Sequence, residues 1–503
     1  MRPGLLFADP REGSGAAAAG TERPAGAERV AEDLGLSVVI EAMADGDAVL
    51  AEAARTVLLS VPPHPAQVAH RQGVLADCLR EPQLGRELYE LAGRALDAES
   101  RAARAVFFDT PETLLNRSIV TLTSFVPLLR ELRAVAERYR QRVTSAGLRQ
   151  FFATVEGRLD EAYLNSVTEL LGHLKLGGNL VVSARLGTGN QSAAFVIQRP
   201  QRQARGLFRR SPGAKQPSAT YKVAYGDEAG HRALSSLRDQ ALAGLADAAV
   251  RSAQHVSSFF SALRFESAFY VGCLHLHRAL TDRGAPVVLP VVHDPGSRHF
   301  TARGLYDPGL QLRLDQPAVA NDVDAGGTSL IMVTGANRGG KSTFLRSVGL
   351  AELMAAAGMF VAATAFTTSA RSGVHTHFTQ DEDATLTSGK LDEELRRMSR
   401  LADVMGPHSL LLCNESFQST NEREGSDIAR HIVDALTAAG ATVVFVTHLH
   451  ELAQHCYDER DRYPALFLRA EPEAGGHRSY RLHEAPPEAT SHGADLWHRA
   501  HHP

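Results

Sequence analysis

Residues 331–348, IMVTGANRGGKSTFLRSV, run from an apolar stretch through a glycine-rich loop into a helix-like stretch. The loop, Gly335-Ala336-Asn337-Arg338-Gly339-Gly340-Lys341-Ser342, satisfies the pattern G-x-x-x-x-G-K-[ST], and Thr343 follows it. In such a loop glycines let backbone N–H groups turn inward around phosphate oxygens. Lysine reaches the β- and γ-phosphates, and the hydroxyl at the end ligates Mg²⁺. The loop works only between a strand end and a helix N-terminus. This part of the chain is therefore expected to be α/β, with Gly335, Asn337, Gly339, Gly340, Lys341, Ser342 and Thr343 as ligands of ATP.

Two more strand-like runs accompany it. SLLLCNE (409–415) ends in Asn414-Glu415, and TVVFVTH (442–448) ends in Thr447-His448. In ATPases with this loop, the end of a neighbouring strand holds the water shell of Mg²⁺ and positions the attacking water. Asn414 is thus a candidate for Mg²⁺ through water, Glu415 for the catalytic base, and His448 for contact with the γ-phosphate. From about 284 to 490 strand-like and helix-like runs alternate, the pattern of a mainly parallel sheet with helices. His450, His455 and Cys456 follow His448 across a strand end and a helix start, a spacing read as surface histidines rather than a metal site. VHTHF (374–378) puts His375 and His377 on one face of a strand, and two ligands do not make a metal site.

The preceding part is different. From about 29 to 110 the pattern is mostly helical, broken at SVPPHP. From 113 to 174 apolar residues recur at three- and four-residue intervals over many turns, which predicts long packed helices. NLVVSARLGTGNQSAAFVIQRP (179–200) reads as two strands around a turn, and helical periodicity resumes over about 228–283. Between them lies QRPQRQARGLFRRSPGAKQPSATYK (198–222), and no acid occurs between Glu169 and Asp227. This stretch is either a solvated loop or a grip on DNA phosphates through Arg202, Arg205, Arg209 and Arg210. The net charge of the 503-residue chain is only −4, so contact with a polyanion would have to come from such a local patch.

The four cysteines form no CxxC pair and fit reduced thiols. No run reaches the roughly 18 apolar residues of a membrane span. Acids stand close behind the short apolar stretch at the N-terminus, unlike a signal peptide. A cytoplasmic protein is expected, with residues 1–28 as a flexible lead-in.

VTGANRGGKSTFLRSVGLAELMAAAGMFVAA, SLLLCNESFQSTNEREG and VVFVTHLHEL resemble the ATPase domain of the MutS mismatch-repair family. VANDV (319–323) and TSHGADLW (490–497) fall where that family has similar words. The likeness is specific over about 315–497 and weaker over the helices, where AHRQGVLADCL (69–79) is similar to the family's core. The resemblance implies an α plus α/β fold. A helical core and lever would span 29–283, with a small basic insertion at 176–226, and a P-loop, ABC-type α/β ATPase domain would span 284–503. It implies ATP, Mg²⁺, DNA and a homodimer, in which Ser388 and Gly389 (LTSGKLDEELRRM) reach a partner's γ-phosphate. Ser388 also suits a helix N-cap. The chain departs from the family in three places. Asn414 replaces an acid, the Ser-Thr after Ser388-Gly389 is missing, and Ala318 and Val319 stand where an adenine-stacking aromatic is expected. With the helical pattern starting near 29, the resemblance leaves no room for a mismatch-recognition domain. Two alternatives stay open: a nucleotide-gated binding module with little hydrolysis, and an ABC- or SMC-like ATPase acting on something other than DNA.

Overall fold

The computed structural model describes residues 2–7, 23–61, 64–104, 110–175, 181–186, 192–198, 227–335, 339–379, 389–460, 464–472 and 478–487. In chain order, helices α1 (Ala27–Asp33), α2 (Leu36–Ala44), α3 (Ala48–Leu58), α4 (Pro65–Arg80), α5 (Pro82–Arg104), α6 (Pro111–Tyr139), α7 (Ala146–Arg158) and α8 (Glu161–Leu174) come first. A hairpin of β1 (Val181–Leu186) and β2 (Ser192–Gln198) precedes the long α9 (Glu228–Thr281). Then follow β3 (Val291–His293), β4 (Phe300–Leu305), α10 (Pro308–Arg313), β5 (Asn321–Asp324), β6 (Leu330–Gly335) and α11 (Lys341–Ala356). The rest is β7 (Ala365–Ser369), β8 (Val374–Phe378), α12 (Lys390–Val404), β9 (Leu410–Asn414), α13 (Glu422–Ala438), β10 (Thr442–Val446), α14 (His450–Asp458), β11 (Ala465–Pro472) and β12 (Arg478–Glu484). Among the described residues no helix is long and apolar enough to cross a membrane.

Packing divides the chain into two units, and the division differs from the linear boundary expected at 284. One unit takes 1–2, 87–140 and 152–264; the other takes 3–86, 141–151 and 265–503. Divisions fall inside α5, α7 and α9. In the first unit α6 starts on an N-cap, the Thr110 hydroxyl accepting from the Thr113 N–H, with Pro111 as the first helical residue. Its Leu115 and Ile119 pack on Leu242, Ala246 and Ala249 of α9. Further along, the Phe125 and Phe260 rings lie 5.5 Å apart. The β1–β2 hairpin is antiparallel, with an irregularity between Ser183 and Arg185.

The second unit holds a six-stranded sheet in the order β12-β11-β6-β10-β9-β8. Five of its strands are parallel, and β12 pairs antiparallel with β11 at one edge. The inner strands β6, β10 and β9 read as apolar runs because both faces are covered, as parallel sheets require. Leu330, Met332, Leu411, Cys413, Val443 and Phe445 face a core shared with Ala429 and Val433 of α13 and Leu452 of α14. On the other face lies α11, buried on nearly every side. A Cβ on Gly349 would sit 2.6 Å from Leu34 Cδ2 and 2.7 Å from Leu412 Cδ1, so α11 passes this close to its neighbours only with glycine there. Inside the unit, Glu352 of α11 forms a buried ion pair with Arg371 at 3.2 Å, and the Thr368 hydroxyl donates to the same carboxylate at 2.8 Å.

A second sheet, β3-β7-β4-β5, was not anticipated from the sequence. Its strands are short and mostly antiparallel. The Asn321 carboxamide at the start of β5 accepts from the Leu482 N–H of β12 at 2.7 Å and so ties the two sheets together. Residues 2–7 also depart from expectation. Placed in sequence within a flexible lead-in, they include Leu5 and Leu6, which are fully buried. Helix α1 begins at Ala27, inside the span expected to be a lead-in, of which residues 8–22 lie outside the described residues.

Candidate functional site

The strand register decides which residues meet. Val446 of β10 is paired with Asn414 of β9 and with Val333 of β6, so the carboxyl ends of these three strands lie side by side. In an open parallel sheet this edge is where ligands bind. The sequence places Gly335 and the glycine loop after β6, Glu415 after β9 and His448 after β10.

Gly335 has φ 111°, and a Cβ there would lie 2.5 Å from the Ala470 carbonyl of β11. Gly340, the N-cap of α11, has φ 92°, and a Cβ there would lie 3.2 Å from the Tyr480 carbonyl. At both positions the left-handed backbone and the close approach require glycine. Lys341 follows at the first position of α11 and is buried; its Nζ donates to the Gly335 carbonyl at 2.7 Å. The ammonium thus turns back toward the end of β6 and lies 3.3 Å from His448 Nε2. The Ser342 hydroxyl donates to Asn414 Oδ1 at 2.9 Å.

Glu415 is held in an unusual backbone conformation, φ 56°, and Phe417 follows at 65°. Non-glycine residues adopt this region only when their surroundings impose it. Here the Glu415 N–H donates to the Val446 carbonyl at 2.9 Å, and its carbonyl accepts from the Thr379 hydroxyl at 2.6 Å. The Phe417 N–H donates to the buried Glu394 carboxylate at 2.8 Å. A Cβ on Gly425 would reach 2.4 Å from the Phe417 carbonyl, so α13 begins tight against this turn. Between the two strained residues Ser416 is fully buried. Its hydroxyl donates to the His377 carbonyl and lies 2.7 Å from His377 Nδ1. The turn aims Glu415 Oε1 at His448 Nε2, 3.2 Å away. That hydrogen bond, reinforced by the charges of His448 and Lys341, holds the Glu415 carboxyl below its usual range against the opposing effect of burial. Burial pushes the His377 imidazole down to about 4, so it is neutral.

Lys341, Ser342, Asn414, Glu415, His448, Gly335, Gly339 and Gly340 therefore gather at one sheet edge, with Thr343 in the first turn of α11. Gly389 is the exposed N-cap of α12. Asn337, Ser388, Arg202, Arg205, Arg209 and Arg210 lie outside the described residues. Sequence reasoning missed Glu394, which reads as a solvent-facing acid near a helix start but is buried. It also missed Ser416 and Thr379, which carry no motif signal, and Tyr480, an exposed aromatic beside Gly340.

Residues 64–283 match the family model described as MutS2 N-terminal domain, and residues 331–475 match MutS domain V. The chain belongs to the MutS family. The DNA mismatch repair protein MutS of Chloroflexus aurantiacus is 29% identical over 211 residues, which cover 38% of this chain and 22% of that protein. The endonuclease MutS2 of Lactiplantibacillus plantarum is 32% identical over 148 residues, 28% of this chain and 18% of that one. Human MutS protein homolog 4 is 27% identical over 142 residues, 28% of this chain and 15% of its own length. The chain thus spans less than a quarter of each of these relatives. The MutS domain V match contains Lys341, Ser342, Asn414, Glu415 and His448.

Proposed function

We propose that the strand-end site binds Mg²⁺-ATP and hydrolyses it slowly. We further propose that the chain is a MutS-like, ATP-dependent DNA-binding protein, related to DNA repair or recombination and working as a dimer. One observation carries this reading: Lys341, Ser342, Asn414, Glu415 and His448 converge on the ends of three adjacent parallel strands. The residues suit the ligand. Gly335 and Gly340 give the two ends of the loop the left-handed backbone and the close approach to Ala470 and Tyr480 that a side chain would block. A hydroxyl and a carboxamide oxygen 2.9 Å apart are the hard oxygen donors Mg²⁺ prefers.

Bound Mg²⁺ would supply neutralisation of the charge that develops between the phosphates. Lys341 gives the phosphates a cation already oriented by the Gly335 carbonyl. Ser342 would ligate the ion, and Asn414 would orient one of its waters. Glu415 stays ionised through its bond to His448 and positions the attacking water, while His448 contacts the γ-phosphate side. Tyr480 offers the nucleotide base an aromatic face that Ala318 and Val319 do not. Asn414 carries no charge, and charge-assisted hydrogen bonds are roughly twice as strong as neutral ones. That makes hydrolysis slow and favours, as second reading, a nucleotide-gated module that barely turns over. Ser388 and Gly389 complete the site of a second copy, as a closed two-fold assembly requires. The basic stretch with Arg202, Arg205, Arg209 and Arg210 grips phosphates with little sequence preference.

The test is the rate of ATP hydrolysis with Mg²⁺, alone and with duplex, mismatched, branched and single-stranded DNA at several salt concentrations. The proposal expects slow turnover that DNA changes. Nucleotide binding without turnover selects the gated module, and turnover indifferent to every DNA selects an ATPase acting on another partner.

A further inference from the structure

The segment Pro3–Phe7 is threaded into the second unit against α4 and α9, and side chains bond its main chain. The Glu266 carboxylate accepts from the N–H groups of Leu5, at 2.6 Å, and Leu6, at 2.9 Å. The Tyr270 hydroxyl donates to the Leu5 carbonyl at 2.7 Å. Gln67 Nε2 and Arg71 Nε donate to the Leu6 carbonyl at 2.8 and 3.0 Å, and His70 Nε2 lies 3.0 Å from the Gly4 carbonyl. The Arg71 guanidinium also covers the Phe7 ring at 5.6 Å.

Gln67, Arg71, Glu266 and Tyr270 are all buried. Burial pushes the Glu266 carboxyl up to about 7, against the N–H groups and the Arg71 charge that favour its ionised form. A carboxylate, a guanidinium, a phenol and an amide thus converge in the interior on this one segment. Each would be costly without a partner, and the partner here is one short stretch of backbone. The arrangement reads main-chain N–H and C=O groups and encloses two leucines in a bent segment: Gly4 has φ 68°, and the consecutive Leu5 and Leu6 N–H groups turn to the same Glu266 oxygen. Arg71 also touches a different element. Its Nη1 donates to the Ala357 carbonyl at 3.4 Å, and a Cβ on Gly358 would come within 2.5 Å of its own Cβ. The residue that holds Leu6 is therefore wedged against the C-terminal end of α11, the helix that begins with Lys341.

We propose that Gln67, His70, Arg71, Glu266 and Tyr270 form a peptide-binding site whose tethered ligand is the chain's own Pro3–Phe7, and that docking of this segment fixes the end of α11 through Arg71. The inference goes beyond the ATPase reading and does not depend on it. Its ligand class is a short peptide that bends at a glycine before two adjacent leucines with free backbone N–H groups.

The experiment uses the full chain carrying Leu5→Asp and Leu6→Asp, which keeps the site but cannot bury the segment. A fluorescein-labelled peptide of residues 2–7, Arg-Pro-Gly-Leu-Leu-Phe, is titrated into this variant and into wild type, with anisotropy as readout. The variant should bind it saturably and one to one, and wild type at least tenfold more weakly, because its site is filled. A peptide methylated on both leucine nitrogens should bind the variant at least tenfold more weakly, since Glu266 loses both donors. Hydrogen exchange supplies the second readout. The Leu5 and Leu6 amides of wild type should be protected, and the amides of Gly358 and Met359 should exchange faster in the variant until the peptide is added. Equal peptide binding by wild type and variant, equal binding of the methylated peptide, or no binding by a folded variant would overturn the proposal. Should the double variant fail to fold, unprotected Leu5 and Leu6 amides in wild type would overturn it alone.

Discussion

Replacing Glu394 by alanine should slow ATP turnover without weakening nucleotide binding. Glu394 touches none of the expected phosphate ligands. Its carboxylate accepts the Phe417 N–H and closes a turn in which Glu415 and Phe417 both hold left-handed φ. Each such residue costs about 1–3 kcal/mol of backbone strain. A hydrogen bond to a buried charged group contributes about 1.5–3 kcal/mol. The bond and the strain at one residue are therefore of the same size, and removing the carboxylate releases the turn toward ordinary backbone. The remaining anchors, Val446 and Thr379, hold Glu415 itself but not Phe417. At about 1.4 kcal/mol per tenfold, kcat should fall roughly tenfold to a hundredfold. Binding of a fluorescent ATP analogue should stay within about twofold, because Lys341 and Ser342 belong to α11 and keep their partners. Glu394→Gln, which can still offer an oxygen to the Phe417 N–H, should fall between wild type and Glu394→Ala. Steady-state turnover measured alongside equilibrium nucleotide binding decides the matter. A kcat within twofold of wild type, or kcat and affinity lost together, would refute the coupling of this helix to the catalytic turn.

Further expectations follow from the same geometry. Asn414→Asp places a charge 2.9 Å from the Ser342 hydroxyl and should lower the Mg²⁺ concentration needed for half-maximal turnover, read from a Mg²⁺ titration at fixed ATP. His448→Asn removes the main cause of the low Glu415 carboxyl. The base then protonates at a higher pH than in wild type, and the acid limb of the kcat profile should move upward in pH. An unmoved limb would detach Glu415 from that limb. Arg205, Arg209 and Arg210 changed together to alanine should flatten the salt dependence of DNA binding, since each neutralised phosphate contributes a slope of about −0.9. Basal ATP hydrolysis should survive, and coincident slopes would make the basic stretch a solvated loop.

The central sheet was legible because its inner strands are buried on both faces and so appear as apolar runs ending at chemically marked residues. β6, β9 and β10 fall within the strand-like runs SLIMVTG, SLLLCNE and TVVFVTH. The long helix α9 likewise follows the periodicity read over 228–283. The second sheet escaped because β3 and β5 are only 3 and 4 residues long, with exposed positions that break any apolar pattern. Packing partners escaped for another reason. Periodicity reveals which face of α1 is apolar but not that Leu34 lies over Gly349 of α11, and hence not that the first helices group with the sheet. At the site, residue types announced Lys341, Ser342, Glu415 and His448. The left-handed turn at Glu415 was invisible, since it is imposed by Glu394, Thr379 and Val446 from three other parts of the chain. Leu5 and Leu6 sit in too short a run to announce a buried segment, and the side chains that hold them are more than 60 positions away.

Nucleotide binding and turnover measured on the same preparations of wild type, Lys341→Ala and Glu415→Gln test the central claim most directly. The account predicts Mg²⁺-dependent ATP binding by wild type and Glu415→Gln alike, turnover by wild type only, and neither by Lys341→Ala. Undiminished turnover in Glu415→Gln, or unchanged ATP affinity in Lys341→Ala, would contradict it.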